Sequence, residues 1–119
     1  MKIIKEPSLI KAAGEPVKTI LEFVGRVNSG TDEVSIARMK SPEGWSEPGQ
    51  QPDFSEYTIV LSGTLLTETK NGFLEVKANE AVIAEKGEWV RYSSPYPGGA
   101  EYIAICVPAF SPERANRDL

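Results

Sequence analysis

The sequence predicts an all-β protein, an antiparallel sandwich or barrel with little helix. Ten Gly and nine Pro residues interrupt the 119-residue chain so often that helices of ordinary length have little room. The stretches between these breaks are short and rich in β-branched and aromatic residues, and about eight of them at this spacing are typical of a sandwich or barrel. The predicted strands are residues 17–24, 33–39, 54–61, 64–69, 73–78, 81–84, 88–93 and 101–107.

The clearest pairing is a hairpin over residues 64–78. Asn71 and Gly72 stand between its two strands, and both residues readily take the positive φ angles that a type I′ turn requires. Residues 73–86 could instead form a helix that ends at Gly87. The hairpin turn favours strands there, because it commits the segment after it to pairing.

The two ends of the chain are predicted to differ from this strand pattern. A single helical turn is expected over residues 8–13. The polar tail, residues 111–119, is expected to pack loosely or to reach a neighbouring subunit. No linker or internal repeat is present, so we expect a single domain over residues 1–119. It divides into N-terminal strands (residues 1–30), a central region (34–107) and a tail (108–119).

Charge, histidine and cysteine content exclude several classes of function. The chain has a net charge of −4 and no basic block, which argues against nucleic acid as a partner. No apolar run approaches a membrane span or a signal sequence. A chain with no histidine cannot build a Ser-His-Asp triad or a histidine-ligated metal site. The lone Cys106 fits a reducing compartment, so a cytoplasmic protein is expected.

Residues 44–63 resemble the first motif of the cupin family, in which Gly, His-x-His, Glu and Gly follow one another at fixed spacing. Gly44, Glu56 and Gly63 match that spacing. Gln50 and Pro52 stand where the two histidines belong.

Residues 79–94 are similar to the second cupin motif. Gly87 matches, whereas Glu85 replaces a proline, Val90 stands at the position of the third metal-binding histidine and Ser94 at that of an asparagine. The resemblance implies a small jelly-roll barrel, cupin-like and often dimeric, with a ligand pocket inside one end. It does not bring a metal cofactor, because three of the four ligands are replaced by residues that hold transition metals poorly.

The direction of the side chains follows once Glu56 is placed inside the barrel. Alternation along the strand then directs Phe54, Thr58 and Val60 inward, and Tyr57, Ile59 and Leu61 outward. An outer face this apolar predicts a homodimer that packs sheet against sheet. The alternative is that the N-terminal segment, with Leu21 and Phe23, covers the patch within one chain.

Glu56 is the strongest candidate for a functional residue. A carboxylate in an apolar barrel costs several kcal/mol unless it is hydrogen-bonded or protonated. It could be a polar anchor or a general base for a small ligand. It could equally be a structural carboxylate held by Gln50, Tyr92 or backbone N–H groups, or be solvated at the barrel mouth.

Two further residues are candidates for ligand binding. Arg38 shares one strand face with Val34 and Ile36, and it reaches the pocket only if that face is the inner one. If the face is the outer one, Arg38 is an ordinary surface charge. Of Tyr102 and Glu101, which lie on opposite faces of the last strand, Tyr102 is the better pocket residue, because its amphipathic ring suits a pocket wall.

Three functions follow from these residues. The first is metal-free binding of a small polar metabolite inside the barrel, without a cofactor, through Glu56, Gln50, Tyr92, Arg38 and Tyr102. The second is a metal-independent isomerase, epimerase or cyclase with Glu56 as general base. The third is a divalent-metal cupin enzyme, which the absence of histidine disfavours. The sequence alone leaves open whether the protein is an enzyme.

Overall fold

The structure, a computed structural model, describes residues 1–119 and confirms the all-β prediction. It contains nine strands and one short helix. They are β1 (Ser8–Ile10), β2 (Thr19–Val24), β3 (Ser35–Ser41), β4 (Trp45–Ser46), β5 (Ser55–Thr69), β6 (Gly72–Lys77), β7 (Ala81–Ala84), β8 (Val90–Ser94), β9 (Ala100–Val107) and α1 (Pro112–Ala115).

The strands form one curled antiparallel sheet of the jelly-roll kind. Its order is β1-β2-β3-β9-β5-β8-β4, and β6 and β7 also pair with β5. Two apolar clusters fill the space that the sheet encloses. The larger contains Trp45, Val60, Leu65, Val76, Ala84, Val90, Tyr92, Ala100 and Tyr102, and the smaller contains Phe54, Cys106 and Ala115 with Phe110 packed against them.

Strand β5 is a single strand of 15 residues where the sequence predicts two. Its first half pairs with β7 and β9, and its second half pairs with β6 and β8. The strand passes from one wall of the barrel to the other at Gly63, which has a φ of +74°. A side chain at Gly63 would collide with the backbone of Gly99, so glycine is required both for the conformation and for this close approach.

The hairpin over residues 64–78 is confirmed, but the predicted turn type is wrong. Thr69 pairs with Gly72, so the loop consists of Lys70 and Asn71. A type I′ turn requires a positive φ at both loop residues. Among residues 69–72 only Gly72, which follows the loop, has a positive φ, so the turn is not of type I′. The Asn71 N–H donates to Thr69 Oγ1 at 3.1 Å, and this local hydrogen bond stabilises the alternative turn.

The strand interpretation of residues 73–86 is also confirmed. The segment forms β6 and β7, which are separated by a turn at Asn79, whose φ is +70°. A helix is disfavoured because both strands find partners in β5.

Both predictions for the chain ends are corrected. The expected helical turn over residues 8–13 is instead β1, because the edge of β2 offers backbone partners to residues 8–10. The tail does not pack loosely: its Ser111 side chain caps α1, Ala115 is fully buried, and the Asp118 N–H donates to Gly49 O at 2.8 Å. α1 has four residues, and no helix of the chain has the length and apolar character that crossing a bilayer requires.

The predicted alternation of β5 is confirmed. Phe54, Glu56, Thr58 and Val60 are all buried, whereas Tyr57, Ile59 and Leu61 are 40–44% exposed. The N-terminal segment does not cover these outer residues. β2 lies in the same sheet as β5, with β3 and β9 between them, so Leu21 and Phe23 lie beside the patch rather than over it.

We predict that Gly63→Ala lowers the free energy of unfolding by about 3 kcal/mol, because it adds a backbone collision to the strain of a positive φ. Gly98→Ala is the matched control, since Gly98 has a φ of +83° and open space around it, and should cost about 1 kcal/mol. Urea unfolding of both variants measures the difference. Equal losses would contradict the role assigned to the Gly63 contact.

Candidate functional site

A cavity of about 50 Å³ lies inside the barrel, and members of both apolar clusters line it. Inward side chains of β2, β3, β5, β8 and β9 form most of its wall, and residues from the segment before β5 and from the tail complete it. The cavity adjoins a surface groove of about 460 Å³, with which it shares Ile10, Glu22, Phe110 and Arg117. The enclosed part has room for a few waters or for one end of a ligand, and the groove has room for the rest.

Glu56 points into this cavity, where it is 8% exposed. Its Oε1 atom is buried without a hydrogen-bond partner. Burial, and then the charge of the nearby Glu47, raise the pKa of Glu56 to about 7, while Lys18 and the Tyr92 hydroxyl act in the opposite direction. A carboxyl group that titrates near neutrality can both accept and return a proton.

Gln50 and Tyr92 lie with Glu56 on the cavity wall, as the sequence predicts. The backbone of Gln50 is fixed by two hydrogen bonds of 2.9 Å to Val90, and its side-chain Oε1 is buried without a partner. The Tyr92 hydroxyl lies close enough to Glu56 to lower the pKa of that carboxyl, but it makes no hydrogen bond of regular geometry. Burial, followed by the charge of Glu56, raises the pKa of Tyr92 well above its usual value, so this phenol remains a hydrogen-bond donor at neutral pH.

Tyr102 also faces the cavity, and Glu101 faces outward, as the sequence favours. The Tyr102 hydroxyl lies 2.7 Å from Ser41 Oγ. It also accepts a long hydrogen bond of 3.4 Å from Lys18 Nζ. Burial raises the pKa of Tyr102, and this effect is only partly offset by Lys18.

The prediction that Arg38 reaches the ligand pocket is wrong, because Arg38 lies on the outer face of its strand. Arg38 pairs across the sheet with Ile103, on the outer face, because the inward positions of β3 are Ser35, Ala37 and Met39. Its exposed guanidinium forms an ion pair with Glu101, to which Arg38 Nε donates at 2.6 Å. Arg38 is the surface charge that the alternative interpretation describes.

Sequence reasoning missed Lys18 and Glu22, which line the cavity from β2 and the residue before it. Both are buried. Along this segment Lys18 and Glu22 alternate with the more apolar Leu21 and Phe23. The hydrophobic pattern therefore predicts that Leu21 and Phe23, rather than Lys18 and Glu22, face the interior. The available signal was the placement of one basic and one acidic residue two positions on either side of Ile20, which puts both on one face of the strand.

Glu47 and Arg117 were missed for a different reason. They come from a loop and from the tail, where no periodicity reports direction. Glu47 is 7% exposed, and burial raises its pKa, an effect that Lys18 and Arg117 partly offset. Arg117 Nε is buried without a hydrogen bond, 3.9 Å from Glu47 Oε2, and its guanidinium lies 5.6 Å from the centre of the Phe110 ring.

The cavity residues do not fit a transition metal. The three histidine positions of the family motif are occupied by the amide of Gln50, by Pro52 and by the apolar Val90. No three His, Cys, Asp or Glu side chains of the chain are grouped as metal ligands would be. At the ligand positions of the motif, Glu56 is the one anionic donor beside a neutral amide, and Glu22 and Glu47 of the cavity wall are not grouped with it, which is too little for tight binding of such an ion.

We predict that the free energy of unfolding falls by about 3 kcal/mol as the pH rises from 4.5 to 7. Between these values the folded state keeps the proton of Glu56 that the unfolded chain, with an ordinary pKa of 4.5, has lost. The added stability is therefore complete below pH 4.5 and is lost as the pH rises through 7. Urea unfolding across this range is the measurement.

In that experiment, Glu56→Gln should remove the part of the slope that Glu56 contributes and leave the part of the same sign that Glu47 contributes. Glu101→Gln, at an outward-facing carboxyl, is the control and should retain the slope. An unchanged slope in Glu56→Gln would contradict the assignment of this titration to Glu56.

Comparison with known proteins gives one match in sequence and many in structure. No model of a known protein family matches the chain. It is 41% identical over 101 residues to a Myxococcus xanthus protein named endoribonuclease YbeY. The match includes 85% of this chain but only 34% of that protein, so the chain spans about a third of the length of its curated relative.

Solved structures that superpose on the chain include cupin-type proteins. The polyketide cyclase RemF of Streptomyces resistomycificus superposes with a TM-score of 0.76 at 17% identity, over 100% of this chain and 87% of that one. A variant of Streptomyces PAC13 with uridine gives 0.74 at 13% identity, over 98% and 88%. The EutQ protein of Clostridium difficile gives 0.68 at 17% identity, over 88% and 75%. At these identities the likeness establishes the fold, and the fold of this chain is that of the cupins.

Proposed function

We propose that the protein binds a small polar metabolite in its barrel cavity, without a metal ion, through Glu56, Gln50, Tyr92 and Tyr102. One observation carries the proposal: buried polar atoms without partners converge on a single cavity. They are Gln50 Oε1, Glu56 Oε1, the Tyr92 hydroxyl and Arg117 Nε.

Leaving such atoms unpaired costs about 1–3 kcal/mol each. A ligand that offers both donors and acceptors recovers this energy. The composition of the wall fits the same role, because ten of its eighteen residues are hydrophobic and the few polar groups can then fix the orientation of a ligand. The uridine in the PAC13 structure is a precedent for a small molecule bound to this fold.

A second candidate function is proton transfer, in a metal-independent isomerase, epimerase or cyclase. The observation that favours it is the pKa of about 7 at Glu56. A general base with this pKa is half ionised at neutral pH, and the neighbouring Tyr92 hydroxyl can donate to an oxygen of the same ligand. The fold shared with the polyketide cyclase RemF is compatible with such chemistry.

The ribonuclease activity in the name of the Myxococcus relative is not part of the proposal. About two thirds of that protein lies outside the match. The present chain has a net charge of −4, which does not favour binding to a nucleic acid.

We propose a cytoplasmic location for the protein, on the grounds that its one cysteine, Cys106, is free.

We also propose that the outer face of the barrel wall joins two copies of the chain. Ile83, Tyr57, Ile59 and Leu61 are 40–58% exposed on this face. The adjacent β9 adds Ile103 and Ile105, which pair with Ile59 and Tyr57 across the sheet. A second copy is the natural partner, because two identical apolar sheet faces can pack on each other about a twofold axis.

Binding is tested by a thermal-shift screen of metabolites, followed by calorimetry on the compounds that stabilise the protein. A ligand at a hundred times its dissociation constant should add about 2.7 kcal/mol. We expect Glu56→Gln to weaken binding at least tenfold, because it removes a charge-assisted hydrogen bond. Glu101→Gln, at an outward-facing carboxyl, is the control and should bind as the wild type does.

The same ligands separate the two candidate functions. If Glu56 transfers a proton, a bound ligand should exchange a carbon-bound hydrogen with D₂O in the wild type, and Glu56→Gln should bind it without exchange. Binding without exchange in both proteins favours the first function. A screen in which no compound stabilises the wild type would contradict the proposed site, and so would a Glu56→Gln variant that matches the wild type in both binding and exchange.

For the dimer, light scattering should give a mass of about twice the 13.0 kDa of the chain. Ile59→Glu should yield monomers, because it introduces a charge into the apolar face. Phe73→Glu is the matched control, since Phe73 is 61% exposed on the β5–β6 hairpin, away from this face. A wild-type mass of 13.0 kDa at micromolar concentration would exclude the dimer.

A further inference from the structure

We infer that Lys18 is a ligand-binding residue and that the ligand of the cavity carries an acidic oxygen, as a carboxylate, enolate or phenolate does. The inference rests on the proposed function and deepens it by naming the class of ligand. It follows from the contacts of two cationic side chains, Lys18 and Arg117, and from the state of the three carboxyl groups that face them.

Lys18 is buried without an anionic partner. Its residue is 8% exposed. The Nζ atom lies 3.4 Å from the Tyr102 hydroxyl, 3.6 Å from Met39 Sδ and 4.1 Å from the centre of the Trp45 ring. All five ion pairs of the chain involve arginine, and none involves Lys18. An ammonium group has three hydrogen-bond donors. One long contact with a hydroxyl, one with a thioether and one with an aromatic ring satisfy these donors poorly.

Arg117 is a second cationic group with an unused donor on the same wall. Its Nε atom is buried and makes no hydrogen bond. The nearest carboxylate oxygen, Glu47 Oε2, is 3.9 Å away, which is too far for a hydrogen bond. Because Arg117 lines both the cavity and the adjoining groove, a ligand extending from one to the other would pass beside it.

Three carboxyl groups line the cavity, and none of them forms an ion pair with Lys18. Glu22 accepts hydrogen bonds from the Val27 and Asn28 N–H groups at 3.0 and 2.8 Å, so its charge is already stabilised by the backbone. Glu56 is partly protonated at neutral pH. Glu47 is within electrostatic reach of both Lys18 and Arg117. Lys18 therefore has no carboxylate oxygen within ion-pair distance, and an acidic oxygen of a ligand can take that place.

The competing interpretation is that Lys18 is purely structural and covers the indole of Trp45 through a cation–π contact. A neutral ligand rich in hydroxyl groups would then suit the cavity as well as an acid does. The two interpretations differ in what happens when the charge of the ligand is removed at constant shape.

The test uses small carboxylates, each paired with its isosteric primary amide: benzoate with benzamide, cinnamate with cinnamamide, and pyruvate with pyruvamide. Dissociation constants are measured by calorimetry and by chemical-shift titration of the protein. We expect one or more acids to bind at least tenfold more tightly than the matched amide, because a charge-assisted hydrogen bond to Lys18 is lost in the amide.

Lys18→Met keeps the apolar stem and removes the ammonium group, so it should abolish the preference for the acid while the protein remains folded. Lys40→Met is the control, since Lys40 is exposed on β3 and carries the same charge. Trp89→Phe leaves Trp45 as the one indole of the chain, and its fluorescence should change when the acid binds beside Lys18.

Equal affinity for acids and amides, no binding of any acid, or an unchanged preference in Lys18→Met would overturn the inference. The proposed function fails separately. If amides and other neutral metabolites bind and Glu56→Gln weakens them, the cavity is a binding site but Lys18 does not select its ligand. If neither series binds and the metabolite screen yields nothing, both proposals are wrong.

Discussion

The barrel depends on one strand that belongs to both of its walls. β5 pairs with β7 and β9 along its first half and with β6 and β8 along its second, so four of the other eight strands are positioned by it. Its bend at Gly63 closes the sheet around an interior. Because alternation along a strand is strict, the pairing that closes the barrel also directs Glu56 into the cavity. The site and the fold are thus fixed by the same backbone hydrogen bonds.

The interior is unusual in the number of ionisable groups it encloses. Lys18, Glu22, Glu47, Glu56 and Arg117 all line one small cavity. Burying charges of this kind is costly, and packed apolar side chains of the same size would often be as stable. The chain carries this cost while leaving several of the polar atoms unpaired. A cavity organised in this way is better suited to recognising a polar molecule than to stabilising the barrel.

Sequence reasoning identified the fold and several residues of the cavity wall, Glu56 among them, but not the charged residues Lys18, Glu22, Glu47 and Arg117. Local patterns and the spacing of one motif predict the strand positions, the hairpin and the inward direction of Glu56. The structure confirms all three. Arg38 shows the limit of such patterns, because strand alternation gives two faces without saying which one is inside. Lys18 immediately precedes a strand in which Leu21 and Phe23 lie on the outer face, so the apolar pattern does not mark the inner face. Arg117 belongs to a tail whose path depends on tertiary contacts that no local pattern encodes.

The attachment of the tail has a thermodynamic consequence. Gln50 forms backbone bridges both to Val90 of the barrel and to Arg117 of the tail. Gln50, itself a residue of the cavity wall, therefore anchors the tail that supplies Arg117 to the same wall. Under the proposed function, docking of the tail and occupation of the cavity are linked equilibria, in which each lowers the free energy of the other. A substitution that loosens the tail far from the interior would weaken affinity without touching any atom that contacts the bound molecule.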